Sequence, residues 1–425
     1  MTEDSDVGSI NLKNSQIVFM HNDSGFRELT VDGDFNSDNG TLVMNNVLAG
    51  DDSPHDQLVV NGNTSGNTQV VINKAGGNGA QTLQGIELIS VAGDSNGEFT
   101  QQGRIVAGAY DYHLQRGTDS NSKNWYLVSG ETPVTAPDPD PVGGDGDIGA
   151  PVITPPQAEK MNLRPEAGNY IANIAATNTL FNLRLHDRGG ETQYVDALSG
   201  EKKVTSLWMR SLGGHQQVRD SSGQLKTETN RYVLQMGGDL LTTDNLHLGA
   251  MAGYGNARSN TDSNVTGYRS QGHTTGYNLG VYGTWYQQPE QQTGAYVDSW
   301  LQYSWFNNSV NGDHLSAERY QSRGFTASLE SGYSWKLSQD SYNNSYFIEP
   351  NAQFIWMGVK ADDVTEANGT RVTSQGDGNV QSRLGVRASM KTAGENGQTV
   401  FKPYLEANWI NNSKTFATSL EGIKP

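Results

Sequence analysis

The sequence of 425 residues contains no cysteine and no long apolar segment. Without cysteine, a disulfide framework and thiolate chemistry are excluded. A membrane-spanning helix needs roughly 18 or more consecutive apolar residues, and the chain has no such segment. The mean hydropathy of -0.61 agrees with this exclusion. Any part of the chain that crosses a membrane therefore has to do so as a β-barrel.

Positive charge and catalytic motifs are also scarce. The chain has 29 Lys and Arg against 46 Asp and Glu, a net charge of -17, which argues against a nucleic-acid partner. It has no GxxxxGK or HExxH motif, and its eight histidines are scattered. We therefore predict no enzymatic activity, no cofactor and no metal site. The first residues, MTEDSDVGSI, do not predict a signal peptide, so an export signal would lie upstream.

Short apolar segments separated by Gly, Asn and Asp turns fill residues 10–129. Their spacing of roughly 10 to 20 residues is typical of a parallel β-solenoid, in which each coil buries its apolar side against a neighbour. A β-sandwich is the alternative, because periodicity alone does not separate the two folds. We favour the solenoid because the segments are short and the turns are rich in Asn and Gly.

A linker is predicted after this region, in the segment ETPVTAPDPDPVGGDGDIGAPVITPPQ at residues 131–157. Alternating Asp and Pro, followed by Gly-Gly and more Pro, deny the backbone the hydrogen bonds of helices and sheets. The aspartates lack the ligand spacing and the twelfth-position glutamate of a calcium-binding EF-hand loop. We therefore interpret them as a solvated acidic spacer.

One helix is predicted, over residues 161–188. Pro165 suits the first helical position, and basic residues from Arg184 to Arg188 suit the negative end of the helix dipole. Small residues and asparagines fill its middle, so it has no broad apolar face. Such a helix fits a narrow, water-filled channel, although an ordinary interdomain helix would share these features. The residues assigned to the channel helix are Pro165, Gly168, Asn173, Ala176 and Asn178.

Nine segments after residue 204 alternate apolar with polar or small residues. In the eighth, Leu384 and Val386 share one face, and Arg383 and Arg387 share the other. A soluble barrel with an apolar core has the same alternation. Most tryptophans lie near the ends of these segments, and charged residues interrupt the segments, which favours a membrane barrel with a hydrated lumen. The charged residues assigned to the lumen are Arg210, Asp239, Asp298, Glu349, Arg383, Arg387 and Glu406.

Both halves of the sequence resemble parts of the autotransporter family. The series GTLVMNNVLAGDDSPHDQLVVNGNTSG, GAQTLQGIELISV, GRIVAGAYDYHLQRG and NWYLVS resembles the last coils of a pertactin-like passenger, the autochaperone region. The series RPEAGNYIANIAATNTLFNLRLHDR, LWMRSLGG, YVDSWLQYSWF and FIEPNAQFIW resembles the translocator of AIDA-type autotransporters, over residues 161–412. The resemblance implies a twelve-stranded barrel with the helix threaded through it, and a passenger end that folds first and templates the other coils.

The sequence departs from this family pattern at two points. Nine barrel strands are predicted, whereas bacterial single-chain barrels have even numbers of strands. The chain also ends at SLEGIKP, without the terminal aromatic residue that the barrel-assembly machinery reads in this family. We therefore expect a fragment. The helix also lacks the Asn-Asn pair at which some autotransporters cleave their own chain.

The predicted fold is all-β: a parallel β-solenoid, then a linker and one lumenal helix, then a transmembrane antiparallel β-barrel that is truncated at its C-terminus. The predicted parts are the passenger end at 1–130, the linker at 131–160, the lumen helix at 161–190 and the incomplete barrel at 200–425.

The predicted function is outer-membrane translocation and surface display of a passenger, an adhesin, by the type V route. Predicted partners are outer-membrane lipid, the barrel-assembly machinery, periplasmic chaperones and a host or bacterial surface ligand of the upstream passenger. The alternative is a soluble or secreted β-solenoid that binds carbohydrate, joined to a second all-β domain.

Overall fold

A computed structural model of the chain describes residues 1–21, 25–130, 161–188, 192–195, 202–288, 293–340, 344–393 and 400–423. The linker predicted at 131–160 lies outside these described residues. No helix within them is long and apolar enough to cross a membrane.

The first twelve strands wind into a β-solenoid, as the short segments predicted. Coil follows coil in parallel register: Leu29 pairs with Leu58, and Leu58 pairs with Ile89. All three side chains are buried, so each coil covers the apolar side of its neighbour. The strands are β1 Ser5–Val7, β2 Ile10–Lys13, β3 Gln16–Val18, β4 Glu28–Val31, β5 Phe35–Val47, β6 Gln57–Val60, β7 Thr64–Gly76, β8 Ile86–Val91, β9 Glu98–Gln101, β10 Ile105–Ala107, β11 Tyr110–Arg116 and β12 Trp125–Val128.

Two sheets run along this solenoid, and its last part changes direction. One sheet has the order β1-β4-β6-β8-β12-β11-β10, and the other has the order β2-β5-β7-β9 with β3 beside β5. The pairs from β1 to β8 are parallel, whereas β8, β12, β11 and β10 pair antiparallel. A 3-10 turn, Asp119–Asn121, lies between β11 and β12. The antiparallel strands therefore close the stack at its C-terminal end.

The helix α1 spans Glu166–Thr179, so the helix predicted at 161–188 was too long at both ends. Before it, Met161 and Leu163 form β-bridges with Gly130 and Tyr110, and this extended backbone ties the chain to the solenoid. After it, a separate 3-10 turn covers Leu185–Arg188. The basic residues there are consequently not at the end of the helix dipole, and the contacts they make instead are given below.

The strands after α1 form one large antiparallel sheet with smaller additions. Nine long strands pair with their neighbours in the order β15 to β21, then β25 and β27. No pairing joins β15 to β27 within the described residues. The strands are β13 Thr192–Val195, β14 Lys202–Thr205, β15 Trp208–Arg219, β16 Leu225–Thr242, β17 Leu246–Ser263, β18 Arg269–Gln288, β19 Thr293–Gly312, β20 Glu318–Gln339, β21 Ser345–Met357, β22 Lys360–Ala361, β23 Val364–Thr365, β24 Arg371–Gln375, β25 Asn379–Ala393, β26 Val400–Phe401, β27 Tyr404–Asn412 and β28 Ala417–Leu420.

The long strands turn their apolar faces outward. Leu384 is 52% exposed and Leu405 is 79% exposed, whereas Gln302 and Gln353, which donate to the carbonyls of Phe181 and Leu183 just after α1, are almost fully buried. A soluble barrel would show the reverse arrangement, with apolar residues packed inside. The alternation predicted from the sequence is confirmed, and the burial resolves which face points inward.

The solenoid stands on the mouth of the barrel, which is the end where α1 begins. The small sheet β23-β24-β28 lies at this mouth. Leu420 of β28 and Val372 of β24 belong to the same buried apolar cluster as Tyr110 of β11 and Tyr170 of α1. The core of the solenoid therefore continues without a break into the mouth of the barrel.

Candidate functional site: the barrel interior and its mouth

Asparagine side chains tie α1 to the inner wall of the barrel. Asn169 donates to the hydroxyl of Ser259 at 2.7 Å, and Asn173 donates to the hydroxyl of Tyr320 at 3.1 Å. The side-chain amide of Asn178 donates to the backbone carbonyl of Val359 at 3.0 Å. Its oxygen accepts from the backbone N–H of Val359 at 3.1 Å. Buried polar groups are costly unless they are hydrogen-bonded. These asparagines therefore fix the height and rotation of the helix in the barrel.

Small residues let the wall approach the helix closely. A Cβ at Gly168 would lie 2.6 Å from the Oγ1 of Thr227, which is closer than a carbon and an oxygen can pack. Two turns further along the helix, Ala176 packs in an apolar cluster with Phe181 and Val233. Pro165 directly precedes the helix as its N-cap residue. All five residues assigned to the channel helix are thus in or beside α1, and their role in transport stays a prediction.

Arg184 and the 3-10 turn that follows it reach three carboxylates on the barrel wall. Arg184 Nη1 lies 2.5 Å from Glu406 Oε1, and His186 Nε2 lies 2.6 Å from Glu349 Oε1. Arg188 forms an ion pair with Asp298, both side chains being buried. The structure therefore brings Asp298, Glu349 and Glu406, which were assigned to the lumen, together with the basic residues of the turn. These contacts explain why the turn leaves the helical path.

The other residues assigned to the lumen form contacts with the wall or with the backbone after the helix. Arg210 donates to the carbonyl of Asn182 at 3.0 Å. Arg383 lies 3.5 Å from Glu330. Arg387 lies 3.9 Å from Glu406 and stacks over the ring of Tyr404.

Asp239 belongs to a different group of side chains from those that contact the turn. Its carboxylate lies 2.9 Å from the His247 ring and accepts from Tyr282 at 2.7 Å. Within the described residues its carboxylate makes no hydrogen bond or ion pair with α1, so the structure does not bring it to the helix directly.

Sequence reasoning missed a second cluster, at the mouth of the barrel. Arg104, just before β10 of the solenoid, forms ion pairs with Asp111 at 2.6 Å and with Glu166 at 2.7 Å. Arg164 lies 3.1 Å from Glu166 and 2.8 Å from Glu366 of the barrel. We call these five residues the mouth cluster. It joins solenoid, helix and barrel in one chain of ion pairs.

The mouth cluster is buried and shifts the acid–base behaviour of its members. Burial raises the pKa of Asp111 to about 6, against the opposing effect of Arg104. Burial also acts to raise the pKa of Glu166, but Arg164 and Arg104 outweigh it and hold that pKa below its usual range. Two guanidinium groups face three carboxylates, so Glu166, which contacts both arginines, is the centre of the cluster.

Comparison with known proteins identifies the family. The Autotransporter beta-domain family model matches residues 207–422, and the model for Autochaperone Domain Type 1 matches residues 5–114. This chain belongs to the autotransporter family. Among its relatives, Uncharacterized protein YdeU of Escherichia coli K12 is 48% identical over 93% of this chain and 86% of its own. Autotransporter adhesin AIDA-I of Escherichia coli is 37% identical over 94% of this chain and 30% of its own length.

The solved structures agree with this assignment. The crystal structure of the transport unit of the autotransporter AIDA-I from Escherichia coli matches with a TM-score of 0.54 and 36% identity. The match covers 61% of this chain and 82% of that one. The chain is thus an outer-membrane protein whose barrel lies in the membrane and whose solenoid lies at the cell surface. It spans only about 30% of the length of AIDA-I and of YuaQ, another relative from Escherichia coli.

Proposed function

We propose that the chain is the translocator and membrane anchor that delivers a passenger to the cell surface by the type V route. The support is the course of the polypeptide through the barrel. At the mouth, Asn169 contacts Ser259 near the upper end of β17. At the other end, Arg188 contacts Thr284 and Asp298 near the lower ends of β18 and β19. Chain that follows this path has crossed the barrel from one rim to the other.

The mouth cluster has a part in this proposal as the contact that holds the exported end in place. Arg104 can reach Glu166 only when the solenoid is folded and docked on the mouth. The burial of the whole cluster excludes water from the ion pairs, so they are stronger than pairs on the surface. The cluster therefore anchors the folded passenger end after transport.

We further propose that the complete passenger is an adhesin and that the chain has no enzymatic activity of its own. The support is the similarity to the autotransporter adhesin AIDA-I, at 37% identity. In this proposal residues 1–130 are the passenger end, 131–160 the linker, 161–190 the lumen helix and 200–425 the barrel. The partners are periplasmic chaperones, the barrel-assembly machinery and a surface ligand of the passenger.

Protease treatment of intact cells tests the translocator proposal. The chain, supplied with an export signal, is produced in bacteria, and protease is added from outside. We expect residues 1–130 to be cleaved and residues 202–423 to be protected, because only the solenoid lies outside. Cells with a permeabilised outer membrane serve as the control for total cleavage. Protection of residues 1–130 on intact cells, with cleavage after permeabilisation, would contradict the proposal.

The adhesin proposal needs a separate measurement. Cells that display the full-length passenger are compared with the same cells after external protease, for attachment to one another and to host cells. Loss of attachment after protease supports an adhesin. Equal attachment before and after protease, with cleavage demonstrated, would reject the adhesin while leaving the translocator proposal intact.

A further inference from the structure

An aromatic belt crosses the outer wall of the barrel on the mouth side. Tyr254 pairs directly with Tyr277, and Tyr277 pairs with Trp305, so the three rings lie side by side on neighbouring strands. All three face outward, away from α1. Aromatic residues at this position mark the boundary between hydrocarbon and headgroups. We call this row the upper girdle.

Below the upper girdle, the outer wall is free of charge. Below this row and down to Trp285 and Trp335, the outward positions of β17 to β20 carry only apolar, small or hydroxyl side chains, such as Leu279, Leu301 and Leu329. From Tyr277 to Trp285 the strand advances eight residues, about 26 Å along a strand that is tilted in the membrane. At a tilt of about 40° this corresponds to a height of about 20 Å, somewhat less than the apolar band of about 25 Å that is typical of such barrels.

Exposed arginines appear at the upper girdle and directly above it. Arg323 pairs with Trp305 of the girdle. Four residues higher on the same strand is Arg319. Arg258 of β17 belongs to the same row of direct pairs as Arg319, through His273 and Ser309. Arg258, Arg319 and Arg323 are exposed.

These three arginines have no ion-pair partner in the described part of the chain. Two nearby carboxylates are occupied, because Lys226 lies 2.7 Å from Glu228 and Lys360 lies 3.0 Å from Asp377. One exposed carboxylate, Asp362, lies at the level between Arg319 and Arg323, since its N–H donates to the Gln321 carbonyl, and it forms no ion pair with either arginine. Three guanidinium groups are therefore available to an anion.

We propose that Arg258, Arg319 and Arg323 form a binding surface for the phosphate groups of the glycolipid in the outer leaflet. They lie where the headgroups of that leaflet meet the protein. Guanidinium groups bind phosphate through paired hydrogen bonds, and basic residues beside a membrane boundary attract anionic headgroups. Arg258 and Arg319 are three strands apart, about 14 Å, so the row can contact more than one phosphate.

Lipid binding by the purified full chain tests this proposal. The chain in uncharged detergent is titrated with lipid A that carries both phosphates, and bound lipid is measured by phosphate content after gel filtration. The triple variant R258Q/R319Q/R323Q should bind about 100-fold more weakly, from the contribution of three arginines at a membrane surface. The single variant R319Q should show a loss of about fivefold. The matched control is Lys336→Gln, which removes an exposed positive charge at the opposite rim and should bind as the wild type does.

Two further probes separate phosphate recognition from general lipid binding. The first probe is lipid A without phosphates, whose binding is measured from its acyl-chain content. It should bind to the wild type as weakly as to the triple variant. Phosphatidylglycerol micelles should compete more weakly at equal phosphate, because each headgroup carries one phosphate and the row of arginines can contact more than one. Equal binding by the wild type and R319Q, or undiminished binding of dephosphorylated lipid A, would overturn the proposal. Circular dichroism and heat-dependent gel mobility verify that each variant is folded.

Discussion

The guanidinium of Arg164 and the carboxylate of Glu366 meet at 2.8 Å although 202 positions separate them in the chain. Both side chains are buried, at 1% and 2% exposed. Arg164 directly precedes Pro165 and α1, whereas Glu366 lies between β23 and β24 on the barrel. This pair therefore fastens the entry of the helix to the mouth of the barrel.

Replacing Glu366 with Gln should weaken this attachment. The substitution leaves the buried Arg164 without its full counter-charge, and breaking a buried pair in this way costs about 3–5 kcal/mol. We expect earlier release of the solenoid from the barrel on heating, measured as the temperature of the first thermal transition of the purified chain. The control is the exposed pair of Lys13 and Asp38, at 76% and 73% exposed. Lys13→Met should have almost no effect, and an equal effect of both variants would refute the role of the mouth cluster.

The contact of Gly168 with the wall predicts an unusual response to alanine. In a free helix, Gly to Ala stabilises by about 1 kcal/mol. Here the added Cβ would collide with Thr227 and Thr261, so we expect Gly168→Ala to lower the thermal stability of the helix inside the barrel. The matched control is Gly213→Ala, because a Cβ there meets nothing within 4 Å. Stabilisation by Gly168→Ala would show that the wall does not press on the helix.

His113 predicts a pH dependence of the contact between the solenoid and the segment before α1. Burial lowers the pKa of His113 below its ordinary value of 6.5. Asn162 lies 3.1 Å from its Nδ1 and Gln115 lies 3.0 Å from its Nε2, and a neutral ring with its proton on Nε2 satisfies both contacts. The pKa of His113 is lower in the folded state than in the unfolded state, so between these two values the unfolded state binds more protons. The contribution of the neutral ring to the free energy of unfolding is therefore complete above about pH 6.5 and decreases as the pH falls.

Denaturant unfolding of the solenoid between pH 7.5 and pH 5 checks this prediction. The wild type should lose stability on acidification, and His113→Gln should lose less, since glutamine keeps hydrogen-bonding groups but does not titrate. His314→Gln, at an exposed position between β19 and β20, is the control and should follow the wild type. Parallel pH profiles for His113→Gln and the wild type would exclude His113 as the cause.

The sequence predicted the parts of the fold that depend on local periodicity. Leu384 and Arg383 alternate along one strand, and Leu29, Leu58 and Ile89 recur from coil to coil, so both sheets could be predicted. The ends of the helix could not, because they depend on distant partners. Leu163 leaves the helical path to bridge Tyr110, and Arg184 leaves it to reach Glu406.

The mouth cluster was not predictable for the same reason. Arg164 and Glu166 are visible in the motif RPE, but their partners Arg104 and Glu366 lie 62 and 202 residues away. No periodic pattern connects residues at such separations. Ion pairs of this kind become visible only when the fold has brought solenoid, helix and barrel together.

The outward direction of the apolar face is the central claim, and spin labels test it most directly. The chain has no cysteine, so a single label can be placed by Leu384→Cys, Val386→Cys or Gln353→Cys without other changes. In bilayers, we expect the labels introduced at Leu384 and Val386 to be relaxed strongly by oxygen, which concentrates in lipid, and weakly by a water-soluble nickel complex. The label introduced at Gln353, whose side chain donates to the Leu183 carbonyl inside the barrel, should be shielded from lipid oxygen. A label at Leu384 that is shielded from oxygen, with one at Gln353 that is open to it, would contradict the account.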